Sequence, residues 1–211
     1  MPDGVVVGGD ARSRCAWAAS TAEYRSYHDD EWGRPVGNDL QIFEKLCLEG
    51  FQAGLSWITI LRKRPAFRRA FAEFDPERVA AFGPDEVEAL LGDSGIVRHR
   101  GKIESVITNA RAVRALHDRG LSLGGLVWSH RPATKEAPGA PGDLEASTAE
   151  SRALSRELRK NGFAFVGPTT VYSAMQSLGV VNDHLAGCEW RDLCEEDRRR
   201  FAVPALSGGA A

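Results

Sequence analysis

The most restrictive feature of this chain is the spacing of its apolar residues, which recur at helical intervals and do not alternate over a strand-length run. Helix starts are marked as well, because Ser20 with Glu23 and Ser147 with Glu150 have the spacing of capping boxes. Hydrophobic residues make up 43% of the 211, which is sufficient for a domain with its own core. The sequence therefore predicts an all-α fold, and no sheet is expected.

Caps, glycines and prolines divide the chain into seven predicted helices. Asp39 and Ser56 are the predicted caps of the second and third helices, and Pro65 is predicted to close the third. The fourth and fifth helices are joined by a tight turn around Gly95. The expected organisation is a flexible extension at 1–13, one domain of two helical lobes at 14–194 with a helical hairpin near 85–115 and a surface loop at 131–146, and a flexible, frayed tail at 195–211.

The net charge limits the ways in which the chain can bind nucleic acid. A net charge of −2 argues against a protein that coats nucleic acid by bulk attraction, although a local basic face would still bind phosphates. Such clusters occur at 62–69 and 98–102, where the alternative is a solvated helix face. No apolar run has the length of a membrane span and residues 1–10 do not resemble a secretory signal, so a cytoplasmic location is expected.

Two histidines and two cysteines from opposite ends of the chain suggest a metal site. His184 and Cys188 are four residues apart, the spacing of one face of a helical turn, and a second pair near the N-terminus completes a Cys2His2 set: Cys15, His28, His184 and Cys188. A zinc ion held by all four would have no open position and would be structural. On spacing alone, the alternative is that the pattern arises by chance and that these four are ordinary core or surface residues. We expect Cys47 to be a core residue and Cys194 a free surface thiol.

One carboxylate falls where apolar side chains are expected. Glu49 continues the stripe of Ile42, Leu46 and Ala53, so it should point into the core, where an unpaired charge is costly. The alternative is a buried ion pair with Lys or Arg. Aromatic residues at helical spacing surround this position in the sequence and could be core or the wall of a cavity: Trp17, Tyr24, Tyr27 and Trp57. Such a set would suit a flat, positively charged base.

The predicted hairpin carries a second candidate site. Backbone amides at its glycine turn and at the start of the following helix form an anion site, and basic residues would reinforce it: the set is Gly95, Arg98, Arg100 and Lys102. The expected role is to position a nucleic-acid backbone without reading sequence. An ordinary helical hairpin with a solvated basic turn is the alternative.

Several longer blocks, in order, resemble one family. They include Arg14-Cys-Ala-Trp, Tyr27-His-Asp-Asp-Glu-Trp-Gly, Cys47-Leu-Glu-Gly-Phe-Gln-Ala-Gly-Leu-Ser-Trp, Gly95-Ile-Val-Arg-His-Arg-Gly-Lys-Ile, Phe163-Ala-Phe-Val-Gly-Pro and Val181-Asn-Asp-His. From about Arg14 to Cys188 the chain resembles the 3-methyladenine DNA glycosylase I family of helix-hairpin-helix glycosylases. The resemblance implies hydrolysis of the N-glycosidic bond of 3-methyladenine in alkylated double-stranded DNA, which releases the base and leaves an abasic site.

The resemblance also implies roles for individual residues. It implies one structural zinc ion on the Cys2His2 set, DNA-backbone contacts from the hairpin, and a monomer. Glu49 and Tyr27 would contact the excised base, and Trp57, Trp17 and Tyr24 would line its pocket. Most helix-hairpin-helix glycosylases carry a catalytic aspartate soon after the hairpin, and here that stretch offers only Asp118, at a helix end. Glu49 is therefore also the best candidate to orient water. The alternatives are a zinc-stabilised damage-binding protein without catalysis, a zinc hydrolase with an open metal position, and a DNA-bending protein.

Overall fold

The protein, described by a computed structural model over residues 3–133 and 136–207, is built from helices. Its α-helices over these residues are α1 (Ala22–Asp30), α2 (Asp39–Gln52), α3 (Trp57–Ala70), α4 (Pro76–Ala80), α5 (Pro84–Gly92), α6 (Arg100–His117), α7 (Leu123–Trp128), α8 (Ala149–Lys160), α9 (Pro168–Ser177) and α10 (Trp190–Arg200). The predicted all-α class is confirmed. One small correction applies, because strands β1 (Val5–Val7) and β2 (Ser13–Cys15) form an antiparallel ribbon in which Val5 is opposite Cys15.

Helix α2 occupies the centre of the fold. It packs against α3, α6, α7 and α9, and nine of its fourteen residues are buried. Phe43, Leu46, Leu48 and Phe51 are 0–2% exposed, which accounts for the apolar sequence of this helix. A side chain that points inward from the last turns of α2 therefore enters the interior of the domain.

Two predicted helix starts are displaced by one residue. Thr21 rather than Ser20 caps α1, and its hydroxyl accepts a hydrogen bond from the Tyr24 N–H at 3.1 Å. Ser20 ends the preceding 3₁₀ turn with helical dihedral angles, whereas a cap needs an extended backbone. In the same way Thr148 rather than Ser147 caps α8, with Ser151 completing its capping box.

The predicted role of Asp39 is also corrected. The Asn38 side chain caps α2, and Asp39 is the first residue of that helix. The Asp39 carboxylate instead accepts hydrogen bonds from the Leu123 and Gly124 N–H groups at 2.9 and 2.7 Å. A carboxylate of α2 thus satisfies the free amides at the start of α7, a contact between residues more than 80 positions apart.

Pro65 does not close the third helix, since α3 continues to Ala70. A proline inside a helix loses one backbone hydrogen bond and costs about 3 kcal/mol. Phe67 and Phe71, which follow it, are both 0% exposed. Burial of these two rings offsets that loss, and it is a tertiary effect that a local rule does not include.

Both ends of the described chain contain packed structure, which differs from the expected flexible extension and frayed tail. In the N-terminal segment Val5 is buried. Past residue 195, α10 continues to Arg200, and the Phe201 ring lies 4.6 Å from that of Trp128. The following residues lie so close to α7 that a Cβ on Gly125 would be 2.2 Å from the Ala205 carbonyl oxygen. Residues 1–2 and 208–211 lie outside the described part.

The described residues of the loop predicted at 131–146 include one regular element, a 3₁₀ turn at Pro141–Asp143. Its Pro138 carbonyl accepts a hydrogen bond from the Ala186 N–H at 2.9 Å, so its second half lies against the segment before α10. Among the described residues, no helix combines the length and the apolar character needed to cross a membrane.

Candidate active site and metal centre

A cavity of about 430 Å³ opens between the start of the chain, α1, the end of α2, the start of α3 and α9. Its size is in the range of small-molecule sites. Aromatic and polar side chains line it: Trp17, Ser20, Tyr24, Tyr27, Trp32, Glu49, Gln52, Trp57, Ser173 and Gln176. We call this space the aromatic cavity. It contains all five residues that the sequence analysis assigned to a base-binding pocket.

Glu49 forms part of the cavity wall and is only 5% exposed. The alternative of a buried ion pair predicted a close cation, but no Lys or Arg nitrogen in the described ranges lies within 4.0 Å of its carboxylate. Burial raises the pKa of Glu49 to about 7, and the positive charge of Lys45 opposes that rise. A carboxylate in this state is available to a hydrogen-bond donor or a cation that enters the cavity.

The rings around Glu49 belong to different elements and pack against one another. The Tyr27 and Trp57 centroids are 5.4 Å apart, and those of Trp17 and Tyr24 are 5.6 Å apart in an edge-to-face arrangement. The Tyr24 hydroxyl accepts a hydrogen bond from the Ile58 N–H at 3.0 Å. This bond satisfies a backbone amide in the first turn of α3, where the Ser56 side chain makes no capping hydrogen bond. The cavity wall is therefore rigidly supported.

One hydrogen-bond donor of the cavity wall is unused. The indole Nε1 of Trp57 is buried and has no acceptor, alone among the side-chain nitrogen and oxygen atoms of the described residues. A buried unpaired donor is unfavourable in an isolated protein. Its presence in a residue that lines a cavity is typical of a binding site, where strain and incomplete pairing concentrate.

Some cavity residues are absent from the sequence-based set. Trp32 follows Tyr27 by five residues and could have been added from that block of aromatic and acidic residues. Gln176, by contrast, comes from α9, and its amide is held by a hydrogen bond to the Asp183 carboxylate at 2.8 Å. Nothing in the spacing of the chain places α9 beside Glu49, so only the tertiary structure could identify Gln176.

The Cys2His2 set converges on one buried point. The four ligand atoms of Cys15, His28, His184 and Cys188 lie within 4.8 Å of one another, and all four residues are buried. His28 Nε2 and His184 Nδ1 are 3.1 Å apart, and Cys188 Sγ is 3.5 Å from each. A tetrahedral zinc ion would separate two nitrogens by about 3.3 Å. The donor set and its geometry therefore fit a metal ion with four protein ligands.

Neighbouring groups hydrogen-bond one ring nitrogen of each histidine and leave the other nitrogen free to bind a metal. His28 donates from Nδ1 to the Asp29 carboxylate at 2.8 Å, and His184 donates from Nε2 to the Trp32 carbonyl at 3.1 Å. The opposite ring nitrogen of each faces the cluster. Arg14 holds Asp29 in turn, by contacts of 2.9–3.1 Å. Such outer contacts are usual around metal-binding histidines, because they fix the ring and the tautomer.

The two thiols of the cluster titrate in opposite directions without a cation. Hydrogen bonds from Cys15 and then from the two histidines lower the pKa of Cys188, whereas contact with Cys188 and burial raise the pKa of Cys15. Two adjacent thiolates repel each other, so one keeps its proton. A divalent cation would remove this conflict, because it favours both thiolates.

The route by which His184 and Cys188 meet differs from the prediction. They lie in the segment between α9 and α10, where a turn closes through the Cys188 N–H and the Leu185 carbonyl at 2.9 Å, and not on a helix. Cys194 is 0% exposed, which corrects the predicted surface thiol. It lies on the inward face of α10, beside Gly33. Cys47 is buried in the core, as predicted.

The metal cluster and the aromatic cavity share a wall. The Trp17 ring, which lines the cavity, lies 5.1 Å from the His28 ring and 5.2 Å from that of Trp32. Trp32 also lines the cavity, and its carbonyl holds His184. Disorder in the cluster would therefore reach the cavity through these two indoles.

The predicted hairpin is formed by α5 and α6, with Gly95 in the connection. Arg98 is exposed, and no carboxylate of the described chain pairs with it. Arg100 is exposed but lies 2.6 Å from Glu88. The Gly95 N–H is occupied by the Asp93 carboxylate at 2.7 Å. Of this set, Arg98 has the most accessible positive charge.

Lys102 requires a correction. Its ammonium is buried and donates to the carbonyls of Phe51 and Ala53 at 2.9 and 2.6 Å. It satisfies the end of α2, where carbonyl groups lack partners within the helix and the helix dipole favours a cation. Lys102 therefore joins the hairpin to the cavity wall and does not present its charge to solvent.

Phe165 is an exposed aromatic residue beside the hairpin that the sequence analysis did not single out. It is 43% exposed, has a left-handed φ of 56°, and its ring lies 6.5 Å from that of His99. The Asn109 side chain fixes the preceding residue through two hydrogen bonds to Ala164, at 2.7 and 3.1 Å. A strained, well-held residue that exposes an aromatic ring is a candidate for contact with a partner.

A family profile described as methyladenine glycosylase matches residues 17–192. The chain belongs to the methyladenine glycosylase family. The resemblance found in the sequence is thereby confirmed. The match contains the aromatic cavity and three of the four residues of the metal cluster, and Cys15 lies just before it.

Members of this family with known identity are similar along nearly their whole length. DNA-3-methyladenine glycosylase 1 of Escherichia coli (strain K12) is 48% identical over 178 residues, which cover 83% of this chain and 95% of that protein. DNA-3-methyladenine glycosylase of Haemophilus influenzae is 43% identical over 179 residues, with 83% and 96% covered. A solved structure on 3-methyladenine recognition by the Staphylococcus aureus glycosylase I has a TM-score of 0.80 at 31% identity, with 84% and 96% covered.

Proposed function

We propose that this protein is a DNA-repair glycosylase that hydrolyses the N-glycosidic bond of 3-methyladenine in alkylated double-stranded DNA. The observation that carries the proposal is Glu49, a buried carboxylate in the wall of the aromatic cavity that has no ion-pair partner among the described residues. A flat cationic base can stack on the rings while the carboxylate meets its edge. The known relatives, which are named for this activity, support the same substrate.

The chemistry follows from a change of charge. The methylated base is cationic while it is attached to deoxyribose and becomes neutral when the bond breaks, so its departure needs less assistance than that of a normal base. The lesion leaves the helical stack and enters the cavity, a step made easier by its impaired pairing. There it stacks on Trp57, Trp17 and Tyr24, while Glu49 and Tyr27 hydrogen-bond its edge. Water adds to the sugar carbon, an abasic site remains, and Glu49 is the group best placed to orient that water.

The metal of this proposal is a single zinc ion on Cys15, His28, His184 and Cys188. Two thiolates and two imidazoles are the ligands of closed zinc sites, and a four-ligand site leaves no position for a catalytic water. When bound, zinc supplies structural cross-linking between the first and last parts of the domain. This arrangement argues against the zinc-hydrolase alternative.

The proposed DNA-binding surface consists of the α5–α6 hairpin, which would act as a helix-hairpin-helix element, together with Phe165. The start of α6 offers unpaired helical amides and Arg98 offers charge to a phosphate. Phe165 offers a ring to the bases next to the flipped lesion. The protein would act as a monomer in the cytoplasm, where duplex DNA is its partner.

The direct test is incubation with duplex DNA that has been methylated at adenine N3, followed by chromatography of the released bases. We expect free 3-methyladenine and abasic sites, with no release from the same DNA before methylation. Tight binding to methylated DNA without release of any base would instead support the damage-binding protein that lacks catalysis.

Excision should depend on pH through Glu49. Because its pKa is raised to about 7, the carboxylate is charged above that pH and neutral below it. We expect kcat/KM to fall about tenfold for each unit that the pH is lowered below 7, since this ratio reports the free enzyme. Initial rates between pH 5 and 9 measure the profile. A profile for Glu49→Gln with the same acid limb would show that another group is responsible.

Arg98 should contribute to DNA binding through its charge alone. Arg98→Ala is expected to weaken binding to undamaged duplex several-fold and to reduce the slope of log affinity against log salt by about one. Arg119→Ala is the matched control, because Arg119 lies just beyond the other end of the long helix α6. Fluorescence anisotropy at several salt concentrations gives both values. Equal slopes for the two variants would remove Arg98 from the interface.

A further inference from the structure

Lys45 contacts two rings of the aromatic cavity and is not among its lining residues. It precedes Glu49 by one helical turn on α2, so both side chains extend from the same face. Its Nζ lies 4.8 Å from the Tyr27 ring centroid and 5.2 Å from that of Trp57, within the distance of cation–π attraction. Nζ also donates to the Tyr27 hydroxyl oxygen at 3.4 Å. The ammonium therefore contacts two rings of the cavity wall.

The other charges near this point are already paired. On α3, Arg64 binds the Glu31 carboxylate of α1 at 2.5 and 2.7 Å, and Arg68 binds Glu44 of α2 at 2.8 Å. Lys45 has no carboxylate oxygen within 4.0 Å among the described residues. Burial lowers the pKa of Lys45, and the negative charge of Glu49 opposes that fall. Lys45 and Glu49 thus form an oppositely charged pair one helical turn apart on α2.

We infer that Lys45 is a positioning residue for the base-binding groups, which keeps Glu49 ionised and holds the Tyr27 and Trp57 rings in place. The inference rests on the proposed function for its meaning in catalysis, although its electrostatic part concerns the protein alone. Lys45 is not one of the residues that the family resemblance assigned to the pocket.

The electrostatic part follows from burial and distance. Burial favours the neutral carboxyl form of Glu49, and the Lys45 ammonium is the cation that acts against it. In the interior, where screening is weak, such a pair interacts over several ångströms. Loss of the ammonium would leave Glu49 protonated at neutral pH, without the charge that attracts a cationic base.

The hydrogen-bonding part follows from the donors available. An ammonium can only donate, so the Tyr27 oxygen accepts from Lys45. The Tyr27 O–H proton must then point away from Lys45, and the Ser177 side chain is the second hydrogen-bonding partner of Tyr27. These contacts fix the Tyr27 ring, which forms part of the cavity wall.

The test is the titration of Glu49 in Lys45→Met, which keeps the length of the side chain and removes its charge. With ¹³C-labelled glutamate, carboxyl NMR between pH 4 and 10 follows each residue, and Glu49→Gln identifies the resonance. We expect the Glu49 midpoint, about 7 in the unmodified protein, to rise by about one unit or more in Lys45→Met. The acid limb of kcat/KM should move by the same amount.

Two controls separate charge from packing. Lys45→Arg should retain the original midpoint, because it keeps the positive charge. Arg68→Met removes a neighbouring cation whose partner is Glu44 and should leave the Glu49 midpoint in place. If Lys45→Met does not fold, Lys45→Gln provides the same measurement with a polar side chain.

The outcomes distinguish this inference from the proposed function. An unchanged Glu49 midpoint in the uncharged variants would overturn the inference, whether or not the protein releases base. Absence of base release by the unmodified protein would overturn the proposed function, while a shifted midpoint would still establish that Lys45 controls the charge of Glu49.

Discussion

Glu49→Gln is expected to lower kcat/KM for release of 3-methyladenine by about 10²–10³, the usual effect of removing one preorganised electrostatic group from an active site. Glutamine has nearly the same shape as glutamate, so the cavity volume and the packing of α2 are retained. What is lost is a buried negative charge in the wall of the aromatic cavity. Single-turnover release of labelled base from methylated duplex measures the effect.

Binding of the free base gives a second measurement of the same charge. Affinity for 3-methyladenine, followed by quenching of tryptophan fluorescence, should also decrease in Glu49→Gln. Glu31→Gln is the matched control, because it makes the same chemical change on a carboxylate that is paired with Arg64. Kinetics on methylated DNA that are unchanged in Glu49→Gln would exclude Glu49 from the site and with it the proposed mechanism.

Cys188→Ser is expected to reduce metal content and thermal stability together. Metal binding by a closed four-ligand site contributes directly to folding, because the unfolded chain has no preformed site. A loss of several kcal/mol in a domain of this size corresponds to a decrease in Tm of about 10 °C or more. Metal analysis of the purified protein and thermal unfolding by circular dichroism measure the two quantities. The shared wall predicts a further loss of base affinity through Trp17 and Trp32.

Cys194→Ser is the appropriate control for this experiment. Cys194 is equally buried, lies near the same cluster and is outside the ligand set, so its substitution should leave the metal content unchanged. A protein that purifies without metal and melts at the same temperature as the metal-containing form would contradict the assignment of a structural metal. Removal of metal by a chelator should reproduce the effect of Cys188→Ser.

Features that depend on neighbours in the chain were predicted well. The helical spacing of apolar residues gave the all-α class, and the hairpin was placed close to its observed bounds, Pro84–Gly92 and Arg100–His117. Glu49 was identified because a carboxylate on an apolar stripe must enter the interior. Errors of one residue occurred at the caps of α1 and α8, where adjacent Ser and Thr residues have equal chemistry and only the backbone angles distinguish them.

Features that depend on distant contacts could not be predicted. Lys102 was assigned to a phosphate because it lies in a basic cluster, but the carbonyls at the end of α2 hold its ammonium. Asp39 was assigned as the cap of its own helix, but its carboxylate accepts hydrogen bonds from backbone amides at the start of α7. The contribution of Gln176 to the cavity depends on the packing of α9 against α2. In each case the partner is too far along the chain for spacing to reveal it.

The sequence by itself determined the helical class, the family, the inward carboxylate and the four residues able to bind a metal. These follow from local periodicity and from residue chemistry, which are properties of short segments. Only the tertiary structure decided that Glu49 has no cation within 4.0 Å in the described part of the chain, that Lys45 contacts Tyr27 and Trp57, and that the metal cluster and the cavity share two indoles. The physical reason is that charge, burial and hydrogen bonding are set by all the groups within a few ångströms, and in this fold most of those groups come from other helices.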